Sequence, residues 1–158
     1  MSQTLPLTVD PDRGSLFVGT GRYLLIRPET LGPLVSSASD EVRAALIEGG
    51  RAGGRLAARA VLDRGGEGKG AVEEILAFGA LIGWGRFRVV WGPGGAEVRL
   101  AGSPFAEAAG RAAGPVCHLV RGVLEGIWEE VFGPTVAFDE TGCVACGADT
   151  CRFEERRG

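Results

Sequence analysis

Apolar and polar positions follow two different periods along this chain, and the switches between them mark out its elements. Between positions 40 and 64, Val42, Ala45, Leu46, Gly49, Gly53, Leu56, Ala57 and Ala60 recur at helical spacing behind a Ser39 or Asp40 cap. This is the longest predicted helix. Its glycines Gly49, Gly50, Gly53 and Gly54 would each cost up to about 1 kcal/mol relative to Ala in a helix interior, so close approach of another helix or backbone is expected to offset them. A second helix is expected over 71–81. A strand over 84–91 follows, closed by the Gly92-Pro93-Gly94-Gly95 turn and returned by 97–100 as a β-hairpin.

Positions 106–113 are expected to be helical, and Pro115 in a first turn is expected to start another helix that ends near Gly133. Val116, Leu119, Val120, Val123, Leu124, Ile127, Trp128, Val131 and Phe132 leave it only a narrow polar stripe of His118, Arg121, Glu125 and Glu129. Such a helix is buried on more than one side, by a sheet and by a partner subunit around Val123 and Ile127. Strands over 135–140 and 150–154 flank Gly147-Ala148-Asp149. Upstream, 1–20 reads as a lead-in, irregular over 1–14, with short apolar strands at 16–18 and 23–26. Helices, hairpin, helix and hairpin in that order predict an α+β fold with an antiparallel sheet packed against helices. Residues 21–158 are expected to form a single domain.

Composition narrows the function classes. The 158 residues are 45% hydrophobic and 23% charged with net charge −3, which favours neither disorder nor nucleic-acid binding. No basic segment precedes an apolar stretch at Met1, and no run of about 18 apolar residues occurs, so a cytoplasmic protein without a membrane span is expected. His118 is the only histidine and Tyr23 the only tyrosine. A Ser-His triad or a His-rich catalytic metal site therefore lacks its usual parts. The Gly65-Gly66-Glu67-Gly68-Lys69-Gly70 segment has Asp63 and Gly70 where a phosphate loop needs Gly and Ser/Thr, and a helix rather than a strand precedes it. It reads as an interhelix connection. Arg51, Arg55 and Arg59 repeat every fourth residue and read as a solvated helix face.

Cysteine usage carries the strongest chemistry. Cys117, Cys143, Cys146 and Cys151 in a reducing compartment point to metal binding before disulfides. Cys143 and Cys146 form a CxxC, but in a hairpin connection rather than at a helix N-terminus of a βαβ unit, which disfavours thioredoxin-type chemistry. On the residues alone a four-cysteine zinc site is chemically reasonable. Cys117, at a helix start, has free N–H groups nearby that favour its thiolate.

From Gly21 onward the chain resembles the 4-vinyl reductase domain family of small-molecule-binding modules. The residues that carry this are Gly21-Arg22 with Ile26-Arg27-Pro28-Glu29-Thr30-Leu31-Gly32, Ser103-Pro104-Phe105-Ala106, and Pro115-Val116-Cys117-His118 with Gly122 and Gly126. The specific string is Glu140-x-x-Cys143-x-x-x-Gly147-x-x-x-Cys151-Arg152-Phe153. Related sensory domains of aromatic-responsive bacterial regulators bind zinc through a Cys, a Glu and two further Cys. The resemblance thus implies Zn²⁺ held by Cys117, Glu140, Cys143 and Cys151, with Cys146 a spectator. Three thiolates and a carboxylate around Zn²⁺ carry a formal −2, which Arg152 or Arg121 is expected to balance. By the same resemblance Phe138 and Phe105, and more loosely Trp84 and Phe87, are expected to line a ligand pocket.

The fold implied is that of the small subunits of the TRAPP vesicle-tethering complex, which dimerise through helices. The function implied is non-catalytic binding or sensing of a small hydrophobic or aromatic molecule by a zinc-stapled homodimer, with any output passed to a separate regulatory partner protein. Two alternatives stand beside it. One is a reductase or substrate carrier in 4-vinyl reduction of a chlorophyll precursor, for which no nicotinamide or flavin motif is present; the other is a structural dimerisation or interaction module.

Overall fold

The computed structural model describes residues 5–37, 39–133 and 136–157. The first four residues of the lead-in, Thr135 at the start of the strand expected over 135–140, and Gly158 lie outside the described residues. The chain opens with an antiparallel meander of β1 (Leu7–Asp10), β2 (Ser15–Val18) and β3 (Gly21–Tyr23), with Leu7 paired to Val18 and Leu16 to Tyr23. β1 falls where irregular backbone was expected. Pro6 and Pro11 flank the strand instead of interrupting it, and the intervening turn is closed by Arg13 N–H donating to Asp10 Oδ1 at 3.1 Å. Conversely, the strand expected over 23–26 ends at Tyr23, and Leu24, Leu25 and Ile26 are exposed coil.

Helix α1 (Pro28–Val35) was not expected, although Pro28 in its first turn followed by acidic Glu29 is a helix-start signal. Then come α2 (Asp40–Leu62), whose Ser39 side chain accepts from Val42 N–H, and α3 (Gly68–Leu81). β4 (Arg86–Gly92) and β5 (Gly95–Ala101) form the predicted hairpin, with Gly92 opposite Gly95 at its turn. α4 (Pro104–Ala109) and α5 (His118–Phe132) lead to β6 (Val136–Gly142) and β7 (Cys151–Arg157), joined through a 3₁₀ turn, Val144–Cys146. Pro115 lies ahead of α5, not in its first turn, and Cys117 takes the N-cap position. The four strands form one antiparallel sheet in the order β4-β5-β7-β6.

The core fills the space between the inner face of this sheet (Ala96, Val98, Leu100, Phe138, Cys151, Phe153) and the α5 residues Val120, Leu124, Ile127 and Trp128. The opposite side of α5 crosses α2 at backbone contact. A Cβ on Gly122 would lie 2.0 Å from Ile47 O, on Gly126 2.2 Å from Arg51 O, on Gly50 2.2 Å from Leu119 O and on Gly54 2.2 Å from Val123 O. This is the close approach expected of the α2 glycines, but only for Gly50 and Gly54. Gly49 and Gly53 face open space. The apolar surface of α5 is thereby accounted for within one chain: Val123 meets α2, and Ile127 is fully buried.

The arginines of α2 form a ladder along the same crossing. Arg51 pairs with Glu125 at 2.5 Å, Arg55 with Glu129 at 2.8 Å and Arg59 with Glu130 at 2.6 Å. A solvated face was expected for these arginines; instead their four-residue repeat matches acids on α5. Glu125 differs most from expectation, being 1% exposed rather than part of an open polar stripe. Its carboxylate also accepts from Arg121 Nε at 3.0 Å and from Phe138 N–H at 3.1 Å, which ties α2, α5 and β6 together. A carboxylate buried this deeply is tolerated because every contact is a charge-assisted or backbone hydrogen bond.

Candidate metal centre

Four acidic side chains converge where α5 begins and the β6–β7 connection folds back. Cys117 is the N-cap of α5, Glu140 lies on β6, Cys143 follows β6 directly and Cys151 opens β7. Local backbone geometry makes the convergence possible. A register shift between Glu140 and Gly142 against β7 leaves Thr141 as an extra residue, a bulge that re-aims the strand end toward α5. Beyond it, Cys143 O accepts from both Cys146 N–H (3.0 Å) and Ala148 N–H (3.1 Å), and Gly147 takes a left-handed φ of 96° to close the turn.

One ligand atom from each of Cys117, Glu140, Cys143 and Cys151 lies within 4.8 Å of all the others. Cys117 Sγ is 3.6 Å from Cys151 Sγ, and Val144 N–H donates to Cys151 Sγ at 3.5 Å. Glu140 Oε2 accepts from Cys117 N–H at 3.0 Å, placing its carboxylate at the amino end of α5. Its other oxygen, Oε1, is buried with no hydrogen-bond partner. Buried carboxylate oxygens are ordinarily satisfied, so this one fits a group that the protein atoms do not supply. Cys146 is exposed and outside the set, consistent with its spectator role in the resemblance.

The electrostatics explain why a cation suits the cluster. Hydrogen bonds from Cys117 and Cys151 hold the Cys143 thiol far below its ordinary range. Cys117 is pushed far up by its hydrogen bonds to Cys143 and Cys151 and then by burial. Cys151 is pulled down by Cys117 but lifted more by Cys143 and burial, to about 11. Burial, then the Cys143 hydrogen bond and charge, push Glu140 up to about 8. Negative charge thus settles on Cys143 and not on Cys117, where the helix start was expected to favour it; direct thiol contacts outweigh the helix-end field. Four such groups ionise together only if a cation compensates them. The donors present, three sulfurs and a carboxylate, could hold a metal ion.

Neighbouring groups sort themselves by distance. Ser103, 2% exposed, caps α4 by accepting from Ala106 N–H at 3.3 Å and lies 3.4 Å from Cys117 Sγ, so the Ser-Pro-Phe-Ala segment abuts the cluster. Arg121 is committed to Glu125 and does not serve the cluster. Arg152 remains beside it, folded over Gly142 and lining a cavity of about 350 Å³ together with Cys143, Cys146 and Thr141.

The four aromatic residues expected at a ligand pocket fall in separate places. Phe138 is fully buried and meets Trp128 edge-on at 4.9 Å, in a layer continued by Trp91, stacked on Trp128 at 5.6 Å, and by Phe132. Phe105 pairs with Trp84 at 5.1 Å near α4, and Phe87 packs against Gly79 of α3. None of the four lines the 350 Å³ cavity or a second, of about 400 Å³, walled by Arg99, Gly147, Ala148, Asp149, Thr150 and Arg152. Trp128 itself went unnoticed as a site residue because helical periodicity assigns it to the core. Its indole Nε1 is buried without a protein acceptor among the described residues.

Comparison with known proteins agrees with this architecture. The 4-vinyl reductase domain family matches residues 96–157, the stretch from β5 to β7 that holds all four cluster residues. The phenol-responsive sensory domain of the transcription activator PoxR, solved with phenol, has a TM-score of 0.81 at 22% identity, covering 96% of this chain and 84% of that one. A vinyl-4-reductase family protein from Methanocaldococcus jannaschii has a TM-score of 0.61 at 20% identity, covering 86% and 84%. Subunit 3 of the trafficking protein particle complex from Naegleria fowleri, covalently bound to palmitic acid, has 0.55 at 17%, covering 83% and 95%. No curated protein sequence matches the chain. The resemblance and the TRAPP-like α+β fold read from the sequence are both borne out.

Proposed function

Since residues 96–157 carry a 4-vinyl reductase domain, we propose that the chain is a non-catalytic module that binds a small aromatic or hydrophobic molecule and is stapled by a structural zinc ion. The observation that carries the metal reading is the convergence of Cys117, Glu140, Cys143 and Cys151 on one point with Glu140 Oε1 otherwise unpaired. Three thiolates and one carboxylate suit Zn²⁺, and a four-ligand set leaves no open coordination position, which makes the ion a staple between α5 and the β6–β7 connection. Arg152 is the cation nearest at hand to offset the excess negative charge of such a site.

The ligand reading is supported by the likeness of 96% of this chain to a sensory domain solved with phenol. It is supported too by the Trp91, Trp128, Phe132 and Phe138 layer, where the unpaired indole N–H of Trp128 would donate to an acceptor on an aromatic guest. The rings are in mutual contact, so a guest enters by parting them. We assign this role to the domain formed by residues 21–158, working as a homodimer that reports to a separate partner protein. The dimer contact must use a face other than Val123 and Ile127, which α2 and the core occupy.

Native mass spectrometry of the purified chain reads metal, oligomer and co-purified small molecule together. One zinc per chain is expected, retained in Cys146→Ser and lost, with a lower Tm, in Cys151→Ser. Equal loss in both variants would put Cys146 in the ligand set. A protein that carries no zinc would overturn the staple. Phenol that leaves tryptophan fluorescence and Tm unchanged, along with other simple aromatics, would overturn the ligand reading.

A further inference from the structure

The solvent face of the four-stranded sheet carries three arginines side by side. Arg88 on β4 pairs with Arg99 on β5, and Arg99 pairs with Arg152 on β7, so the three stand in one row across adjacent strands. All three are exposed. Like charges directly opposite one another in an antiparallel pair are destabilising, and two such pairs in succession call for a compensating anion. The chain's own carboxylates do not supply enough of one. In the next row Glu97 is engaged by Arg99 Nε, Glu154 by Thr141 Oγ1 at 3.1 Å and Asp139 by Arg156 at 3.6 Å. Among the described residues Arg88 and Arg152 make no ion pair or hydrogen bond.

Beside this row lies the cavity of about 400 Å³, walled by Arg99 and Arg152 on the sheet and by Gly147, Ala148, Asp149 and Thr150 on the turn before β7. Its size suits a small molecule rather than a polymer. Adjacent strands are about 4.8 Å apart, a separation that lets two neighbouring guanidinium forks grip oxygens of one tetrahedral oxyanion. Thr150 adds a hydroxyl that can donate to it. Asp149 stands on the same wall and disfavours a second anionic group at that end, so the site selects a molecule with one concentrated anionic head.

We propose that this cleft binds the phosphate group of a small molecule between Arg99 and Arg152, with Arg88 extending the positive row. The site is separate from the aromatic layer and from the four cluster residues, and it does not rest on either being occupied. It would give the module a second input on the face away from the core. Arg152 follows Cys151 in the chain, so an anion held there also steadies the start of β7.

The test uses the full chain as purified and inorganic phosphate as the probe, at constant ionic strength with chloride as the reference anion. Amide chemical shifts read by NMR are expected to saturate with phosphate and to map to Arg99, Thr150, Arg152 and the 147–150 turn. Arg99→Gln should weaken binding by about tenfold or more, the loss of one charge-assisted grip. Arg88→Gln should weaken it less. Arg99 and Arg88 are chosen because neither neighbours a cluster residue in the chain, and native mass spectrometry of the same samples verifies unchanged metal content. Shifts that rise linearly, match those with chloride, or saturate equally well in Arg99→Gln and Arg152→Gln would overturn the proposal.

Discussion

Replacing Gly122 by Ala isolates the contact on which the helical layer depends. The new Cβ would sit 2.0 Å from Ile47 O, whereas Cβ contacts under 3.0 Å are essentially never seen, so the helices must separate locally by about 1 Å. The obstacle is a helical carbonyl, which cannot swing aside as a side chain can. Overpacking of this kind costs about 3 kcal/mol, the upper end of the usual range. Alanine's better helix propensity returns about 1 kcal/mol, leaving a net loss of about 2 kcal/mol. Gly53→Ala is the matched control on the facing helix, since nothing lies within 4 Å of its Cβ. It should stabilise by about 0.5–1 kcal/mol. Urea unfolding of both variants under one metal condition, read as a change in midpoint at constant m-value, measures the two effects. Shifts of the same sign, or a loss in Gly122→Ala below about 0.5 kcal/mol, would refute the reasoning, because backbone contact would then not be limiting.

Further consequences follow from the buried acids. Glu125→Ala removes the partner of Arg51 and Arg121 and strands Phe138 N–H, so a loss of about 3–5 kcal/mol is expected in the same urea assay; Glu125→Gln, which keeps an acceptor for Phe138 N–H, should lose less. Zinc affinity should rise steeply with pH. Cys117, Cys151 and Glu140 all have raised pKa values in the metal-free protein, so below about 8 each still holds a proton that the metal must displace; above about 8 Glu140 has released its own and the slope falls. Competition with a chromophoric chelator at pH 6, 7 and 9 measures this, and a pH-independent affinity would exclude these residues as ligands. Removing the metal with a chelator should lower Tm and release the β6–β7 connection first, seen as faster amide exchange at 143–151 than in α2.

The α+β class and the four cluster residues were legible in the sequence for a physical reason. Periodicity reports burial on one face of an element, and thiols and carboxylates at fixed offsets report chemistry that does not depend on knowing the fold. The glycines of α2 announced a close approach because an interior helical glycine has a known cost. What that argument could not do was separate Gly50 and Gly54 from Gly49 and Gly53, because helical phase relative to a partner is a property of the pair. The same limit hid the Arg51, Arg55 and Arg59 ladder and the burial of Glu125: charge on one helix reads as solvated until the acids of another stand opposite.

At the cluster, the sequence alone determined which residue types were available and that Cys117 stood apart from the C-terminal cysteines by a helix length. It did not determine that Glu140 rather than Cys146 completes the set; that followed from resemblance. In the structure it is the bulge at Thr141 and the turn through Gly147 that aim Glu140 and Cys143 inward and leave Cys146 exposed. The arginine row is wholly a product of tertiary structure. Arg88, Arg99 and Arg152 are unremarkable in sequence, and only the pairing of β4, β5 and β7 sets them side by side, because strand register, a long-range quantity, decides which charges become neighbours.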